Sequence, residues 1–366
     1  MENLGVNLEA GGKLCHPVTM NLKILSWNVR GLNMENKRNL VKSRIQSEGV
    51  DIIVLMETKL NGAVGDYIQQ LGGNRWMGGI WLEAISSKGG ILVKWDKRSW
   101  KGEMVEYGNQ SITCKLCGVN QELAWFLTAV YASCDRNERM ELWEELGAMR
   151  SLCEGPWVVC GDFNTTRFPF EKTNCIRLSR AMIDLSSCIN ELELIDPPLF
   201  GGSYTWRGGA NHRNTSRIDR FLYSFPWDEM FLQIRQCTLP SLGSDHNPIV
   251  LTCGNNAFRR SYFKFEKWWL NVEGFKSKVH EWWSSFEVSG RPDYKLATKL
   301  RLLKTKLKEW SRENRENWKA RKEQILSLIG DMEVTQESRS LTDDEQILKV
   351  HLAMEYEEVA KNEEFF

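Results

Sequence analysis

Seven polar residues at five points of the chain carry the side chains that phosphodiester hydrolysis demands. They are Asn28 at the end of LSWN, Glu57 after DIIVLM, Asp162 and Asn164 in VVCGDFN, Asp219 in SRIDR, and Asp245 and His246 in GSDHNP. The reaction needs a neutralised phosphate, an oriented water and stabilisation of the departing oxygen, and a hard cation held by carboxylates serves the first and last of these. Glu57 is the best single ligand for such a cation; Mg²⁺ binds through one or two carboxylates and keeps several waters, so few protein ligands are expected. Asn28 supplies an amide as a ligand or a phosphate donor. Asp162 and Asn164, two residues apart, share one face of an extended segment, which suits a base paired with a positioning amide. His246 can donate to a phosphate oxygen, and a carboxylate such as Asp219 would fix its state by accepting from the other ring nitrogen. Taken singly, each residue also has a plain structural role: Asn164 in a turn, Asp219 as an ion-pair partner of Arg217 or Arg220, Asp245 as a cap. Their joint order points to chemistry.

These residues fall where apolar runs of strand length stop. The runs cover Leu22 to Trp27, Asp51 to Met56, Ile91 to Trp95, Trp125 to Tyr131, Trp157 to Cys160, Ile218 to Tyr223 and Pro248 to Cys253. Helical patterns intervene at Lys37 to Ser47, Asn137 to Cys153 and Ser179 to Leu192. Strands alternating with helices predict an α/β domain, with reactive groups exposed at one edge of its sheets. After Cys253 the pattern changes. The string FRRSYFKFEKWWL is aromatic and basic, and beyond Gly290-Arg291-Pro292 an amphipathic helix carries Leu296, Leu300, Leu303, Leu307 and Trp310 at steps of three and four. A boundary near Gly254 thus separates residues 21–253 from a helical region, 254–366, while residues 1–20 read as a disordered extension.

The chain holds 48 Lys and Arg against 48 Asp and Glu. That balance hides an asymmetry: Lys295 to Lys322 has eleven basic and three acidic residues, and Asp331 to Phe366 has three and eleven. A neutral total therefore does not exclude a nucleic-acid partner, because local potential attracts a polyanion. The basic helix reads either as a segment packing its Leu face on a neighbour or as a grip on DNA or RNA. Ten cysteines scattered through apolar runs fit a reducing compartment, and Cys114 with Cys117, lacking a second pair or a nearby His, reads as strand packing. The first twenty residues show neither a secretory signal nor a membrane span, so a soluble intracellular protein is expected. LTDDE reads as a helix start capped by Thr342 or Asp343.

In order, LSWNVRG, METK, VYASC, GDFN, SYTW, SRIDR and GSDHNPI over residues 21 to 253 resemble the endonuclease/exonuclease/phosphatase superfamily. The wording is most similar to the apurinic-endonuclease-type domain of plant LINE-type, non-LTR retrotransposon polyproteins, and the FKFEKWWL string with its helical tail resembles the linker ahead of their reverse transcriptase. No polymerase domain is read in the 366 residues. The resemblance implies a four-layered α/β sandwich, two mixed sheets flanked by helices, with a helical extension. It implies that Glu57 binds Mg²⁺ or Mn²⁺, that Asp162 activates the attacking water, and that Asn28, Asn164 and His246 hold the phosphate. Asp219 would pair with His246, Tyr131 would lie near the scissile group, and Thr205 and Ser244 would support the site or touch DNA. Asp245 is a further candidate for the metal or for orienting His246. The Gly/Asn/Arg-rich stretch after SYTW resembles a hairpin that probes DNA shape, with Arg207, Arg213 and Arg217 as its contacts.

One position departs from the repair enzymes of the superfamily, which carry an acid where Arg30 stands. The change favours a nuclease that nicks ordinary DNA to leave a 3′-hydroxyl primer, with Arg30 on a phosphate. The partners implied are DNA and element RNA, with no membrane, and nuclear residence follows from the substrate. An inactive nucleic-acid-binding remnant and an abasic-site or exonuclease III-like repair enzyme are the competing readings; a lipid or inositol phosphatase gives no reason for the Arg-rich hairpin.

Overall fold

Strand β1 (Leu22–Asn28) shows why the molecule is layered. Its Leu22 and Ile24 point into a core between two sheets, while Leu25 and Trp27 point to the opposite face, so the strand is apolar on both sides and is covered on both. The computed structural model describes residues 21–62, 65, 67, 71, 77–85, 89–120, 122–208, 214–231, 233–254, 269–270, 274–288 and 292–364. The proposed N-terminal extension, Arg213 and most of the FRRSYFKFEKWWL string lie outside these residues.

One seven-stranded sheet runs in the order β10 (Leu199–Phe200), β14 (Arg235–Thr238), β15 (Ile249–Cys253), β1, β2 (Ile52–Met56), β4 (Ile91–Asp96), β3 (Met77–Leu82). A six-stranded sheet runs β5 (Trp100–Tyr107), β6 (Ser111–Gly118), β7 (Ala124–Tyr131), β8 (Trp157–Asp162), β13 (Asp219–Ser224), β9 (Leu194–Ile195). A ribbon of β11 (Trp206–Gly208) and β12 (Asn214–Ser216) stands beside them. Near the middle of each sheet lies a parallel pair, β1 with β2 and β7 with β8, flanked by antiparallel neighbours. The expected mixed α/β sandwich is present. The strands that periodicity left out include β5, whose pattern WKGEMVEY is charged and largely exposed because it is an edge strand with one solvated face.

Helices cover both outer faces. On the six-stranded sheet, α2 (Arg136–Leu152) and α3 (Arg180–Glu191) enclose Trp157, Val159 and Leu222. On the seven-stranded sheet, α1 (Glu35–Glu48) shares the cover with the C-terminal helices α6 (Pro292–Ser338) and α7 (Asp343–Glu364). Ile325 and Ile329 of α6 and Leu352, Tyr356 and Ala360 of α7 join one apolar cluster with Trp27, Leu55 and Val250. The front of α6 does something else: Leu307 and Trp310 pack on Trp269 and on Phe275 of α5 (Phe275–Ser285), while Leu296 and Leu300 stay 53% and 52% exposed. Between β13 and β14 a short helix, α4 (Phe225–Met230), buries Trp227 against Trp125. Thr342 caps α7 reciprocally, its hydroxyl accepting from Glu345 N and its own N–H donating to Glu345 Oε2. Cys114 is buried between the sheets and Cys117 is half-buried, both on β6 three residues apart and hence on opposite faces, which fits strand packing. Among the described residues no helix is long and apolar enough to cross a membrane.

Gly161 on β8 allows β7 and β8 to meet. Its φ is +145°, and a Cβ there would sit 1.9 Å from the Val130 carbonyl oxygen. Substitution Gly161→Ala is expected to cost about 2–3 kcal/mol, from overpacking combined with a disfavoured backbone region. Urea unfolding followed by tryptophan fluorescence measures this, and a midpoint equal to the parent's would contradict the assignment.

Candidate active site

The inward rows that are apolar along the strands turn polar at their last positions. On β7 the row Trp125, Leu127, Ala129 ends in Tyr131; on β8 Val158 and Cys160 lead to Asp162; on β13 Tyr223 and Phe221 lead back to Asp219. Register makes Tyr131 and Asp219 the two cross-strand neighbours of Asp162. In the facing sheet Asn28 ends β1 beside Met56 of β2, Glu57 follows, and His246 stands just ahead of β15. Both sheets therefore deliver their polar termini to one end of the sandwich, where Asn28, Glu57, Tyr131, Asp162, Asn164 and His246 line a single cleft of about 630 Å³.

A hydrogen bond joins the sheets directly: Asn28 Nδ2 donates to Asp162 Oδ2 at 2.9 Å. The other oxygen, Asp162 Oδ1, accepts from the Asn164 N–H at 2.9 Å, so the carboxylate is held from both sides. His246 Nδ1 meets Asp219 Oδ2 at 2.9 Å and Oδ1 at 3.2 Å, which leaves Nε2 directed inward, 3.8 Å from Asp162 Oδ2. Thr205 Oγ1 accepts from the amides of Ile218 and Asp219, and Ser244 Oγ donates to the Asn28 carbonyl while accepting from His246 N. Trp27 Nε1 donates to the His246 carbonyl. Three residues lining the cleft, Arg30, Glu57 and Asn164, have φ of 53°, 52° and 47°, a costly backbone region for side-chain-bearing residues that concentrates at functional sites.

Burial and charge set the protonation states. Asp162 is 1% exposed; burial and the neighbouring Asp219 charge push its carboxyl up to about 7. For His246, burial works to lower the value, and the Asp219 and Asp162 charges outweigh it, raising the imidazole to about 9. Tyr131 is raised by burial and by the charges of Glu57 and Asp162, and its hydroxyl donates to Glu57. Lys59 Nζ lies 3.0 Å from Glu57 Oε1.

Several oxygens suit a hard cation. Among the described residues, Asp162, Asp219 and His246 offer ligand atoms within 4.8 Å of one another. A cation centred on those three would compete with the bond between Asp219 and His246, whereas Glu57 has no comparable imidazole partner. Asp245 Oδ2 accepts from Trp206 Nε1 and pairs with Arg30, but its Oδ1 is buried without a hydrogen-bond partner among the described residues. An orphaned carboxylate oxygen beside the cleft fits an oxygen-seeking ion.

Two of the arginines expected to face DNA, Arg207 and Arg217, are turned inward. Arg207 is 6% exposed and bonded to Asn247, Glu333 and the Glu333 carbonyl under α6. Arg217 and Arg220 share Glu171 and Asp196, which leaves Asp219 free for His246 and disposes of its reading as their ion-pair partner. A buried guanidinium requires a carboxylate, and these two acids lay unrecognised in the sequence. Arg30 alone of the described candidates projects outward, its side chain 58% exposed. Thr205 is fully buried and acts as an amide clamp, and Ser244 ties the His246 segment to β1. Gly161, Trp27 and Lys59 also serve the site without having been singled out; Lys59, two residues from Glu57 in METK, was the most readable of them.

His246 titrates at about 9 rather than 6.5, so its contribution to stability is complete below pH 6.5 and is lost as pH rises through 9. Asp162, raised from 3.8 to about 7, acts in the same direction, its contribution disappearing as pH rises through 7. Asp219→Asn removes the largest of the charges that raise the imidazole while Asp162 and Asp245 still act against burial, so the titration followed by NMR is expected to move down from about 9 toward 6.5. The stability advantage of the parent over this variant should shrink between those pH values. A titration unchanged by the substitution would contradict the pairing.

Comparison with known proteins agrees with this arrangement. Residues 25–246 match the Endonuclease/Exonuclease/phosphatase family. The exodeoxyribonuclease of Bacillus subtilis (strain 168) is 27% identical over 258 residues, 63% of this chain and 98% of that protein. In fold, the chain is similar to the AP endonuclease LMAP from Leishmania major, with a TM-score of 0.53 and 14% identity over 64% of this chain and 88% of the other. It is also similar to the endonuclease domain of TRAS1, a telomere-specific non-LTR retrotransposon, with a TM-score of 0.51 and 13% identity over 64% and 99%. With more than half its length matched, and the matched segment running from β1 to His246, the chain belongs to the Endonuclease/Exonuclease/phosphatase family.

Proposed function

We propose that the chain is a divalent-metal-dependent DNA endonuclease of retrotransposon type, which nicks target DNA and leaves a 3′-hydroxyl primer. The observation that carries this reading is the convergence of Asp162, held by Asn28 and Asn164, with the His246 and Asp219 pair in one cleft. Asp162, with its carboxyl near 7, takes a proton from water at neutral pH and orients the attack on phosphorus. His246, kept cationic by Asp219, directs Nε2–H at a non-bridging phosphate oxygen. Attack breaks the P–O3′ bond; the leaving oxygen takes up a proton and becomes the 3′-hydroxyl, and the phosphate stays on the 5′ side. Glu57, with Asn28 and Asp245, would hold Mg²⁺ or Mn²⁺, which when bound neutralises charge on the phosphate.

The likenesses to an exodeoxyribonuclease, an AP endonuclease and a retrotransposon endonuclease support DNA as the substrate, and with it nuclear residence. Arg30 at the rim supports ordinary DNA over an abasic site, whereas the exodeoxyribonuclease likeness favours a second reading, a repair nuclease.

Supercoiled plasmid with Mg²⁺ tests the proposal. The parent is expected to nick it and leave ends that a polymerase extends without further processing. Glu57→Ala, Asp162→Ala and His246→Ala should each lose at least about a hundredfold in rate. Nicking that survives Asp162→Ala intact would sink the role given to that residue, and cleavage confined to an abasic oligonucleotide would establish the repair reading instead.

A further inference from the structure

Glu333 lies on α6, far along the chain from the cleft residues, yet it is 4% exposed and gathers donors from the segment that carries His246. Its Oε2 accepts from Asn247 Nδ2 at 3.0 Å, and its Oε1 accepts from the Ser241 amide at 3.3 Å. Arg207 Nη1 is 3.5 Å from Oε2, and Lys349 Nζ of α7 is 3.4 Å from Oε1. Glu337, one turn later, accepts from the Ser203 amide at 3.0 Å. The carboxylate of Glu333 thus meets two cations and two neutral donors in a place where any of them left unpaired is costly.

Two routes lead from this carboxylate to the reacting groups. Asn247 adjoins His246 in sequence, and its Oδ1 is held by Arg207 Nη1 at 3.0 Å, so both ends of its amide are fixed. The Asn247 N–H donates to the Thr205 carbonyl at 2.7 Å, and the hydroxyl of that same Thr205 accepts from the Asp219 amide at 3.0 Å. Ser241, whose amide bonds Glu333, turns its hydroxyl to the His246 carbonyl at 2.8 Å. Glu333 therefore touches the supports of both His246 and Asp219. The apolar attachment of α6 and α7 through Ile329 and Leu352 fixes where that carboxylate stands.

We infer that Glu333 is a positioning residue for the His246 and Asp219 pair, so that the C-terminal helices set the register of the active site as well as covering the sheet. The activity arm of the test rests on the nuclease reading above; the exchange arm does not. In full-length protein, Glu333→Ala leaves the Asn247 side-chain amide and the Ser241 N–H without their acceptor and takes the carboxylate away from Arg207 and Lys349, and Glu333→Gln keeps one acceptor oxygen while turning an N–H₂ toward donors. Arg321→Ala, which removes an exposed pair with Glu355 on the same helices, is the control.

Hydrogen exchange at the Asn247 and Asp219 amides is expected to quicken at least about tenfold in Glu333→Ala, less in Glu333→Gln, and not in Arg321→Ala, under conditions where all remain folded. For plasmid nicking, kcat should fall about ten- to a hundredfold in Glu333→Ala with KM within about twofold, and Glu333→Gln should fall between it and the parent. If Glu333→Ala does not fold, Glu333→Gln carries both measurements. Exchange at Asn247 and Asp219 equal to the parent's in a folded Glu333 variant would overturn the inference. So would a kcat loss shared equally by Arg321→Ala. Should the parent not nick DNA at all, the nuclease reading fails while the exchange result still decides the positioning role.

Discussion

Asp162 and Asp219 are direct partners on neighbouring antiparallel strands, so the fold places two carboxylates side by side where each is 1% exposed. Like charges opposed across a ladder repel, and burial denies them the screening of water. The rest of the site reads as the answer to that conflict. His246 arrives from the facing sheet and gives one acid a cationic partner, while Asn28 and the Asn164 amide give the other two neutral donors. The proton shared out among these groups is then available near neutral pH, which is what hydrolysis of a phosphodiester asks of a base and a phosphate donor.

Keeping the pair undisturbed requires that other charges be satisfied elsewhere. Arg217 and Arg220 flank Asp219 in the chain, yet Glu171 and Asp196 absorb both. Arg207 is likewise occupied by Asn247 and Glu333. These separate ion clusters surround the cleft without entering it. They also explain why an arginine-rich stretch of sequence is a poor guide to a DNA-facing surface: a guanidinium close to a core is drawn inward by any acid that the fold brings within reach.

The C-terminal helices alter how the site is built. Their apolar residues complete the outer cover of the seven-stranded sheet, behind Trp27 and Val250, and the Glu333 carboxylate of α6 reaches the loop that holds His246. The basic run at the front of α6 belongs to a different packing unit, around Trp269, Phe275 and Trp310. One helix thus serves two clusters, which is consistent with its length of 47 residues.

How much of this was legible differs by residue. The strands ending in Asn28, Tyr131 and Asp162 were readable because each is a long apolar run stopped by a polar residue, a local signal that needs no partner. Edge strand β5 and the two- to four-residue strands β9 to β12 and β14 were not, since they are solvated on one face or too short to show a period. The types and order of the site residues, together with the helix cap at Thr342, lay in the sequence itself. The pairing of Asp219 with His246 was expected as well, but other pairings lay beyond the sequence: that Glu171 and Asp196 take Arg217 and Arg220, that Arg207 faces Glu333 and not solvent, and that α6 reaches the His246 loop. Side-chain chemistry is a local property of the chain, whereas the choice among competing charge partners depends on distance and burial, and these exist only once the two sheets and their covering helices have packed.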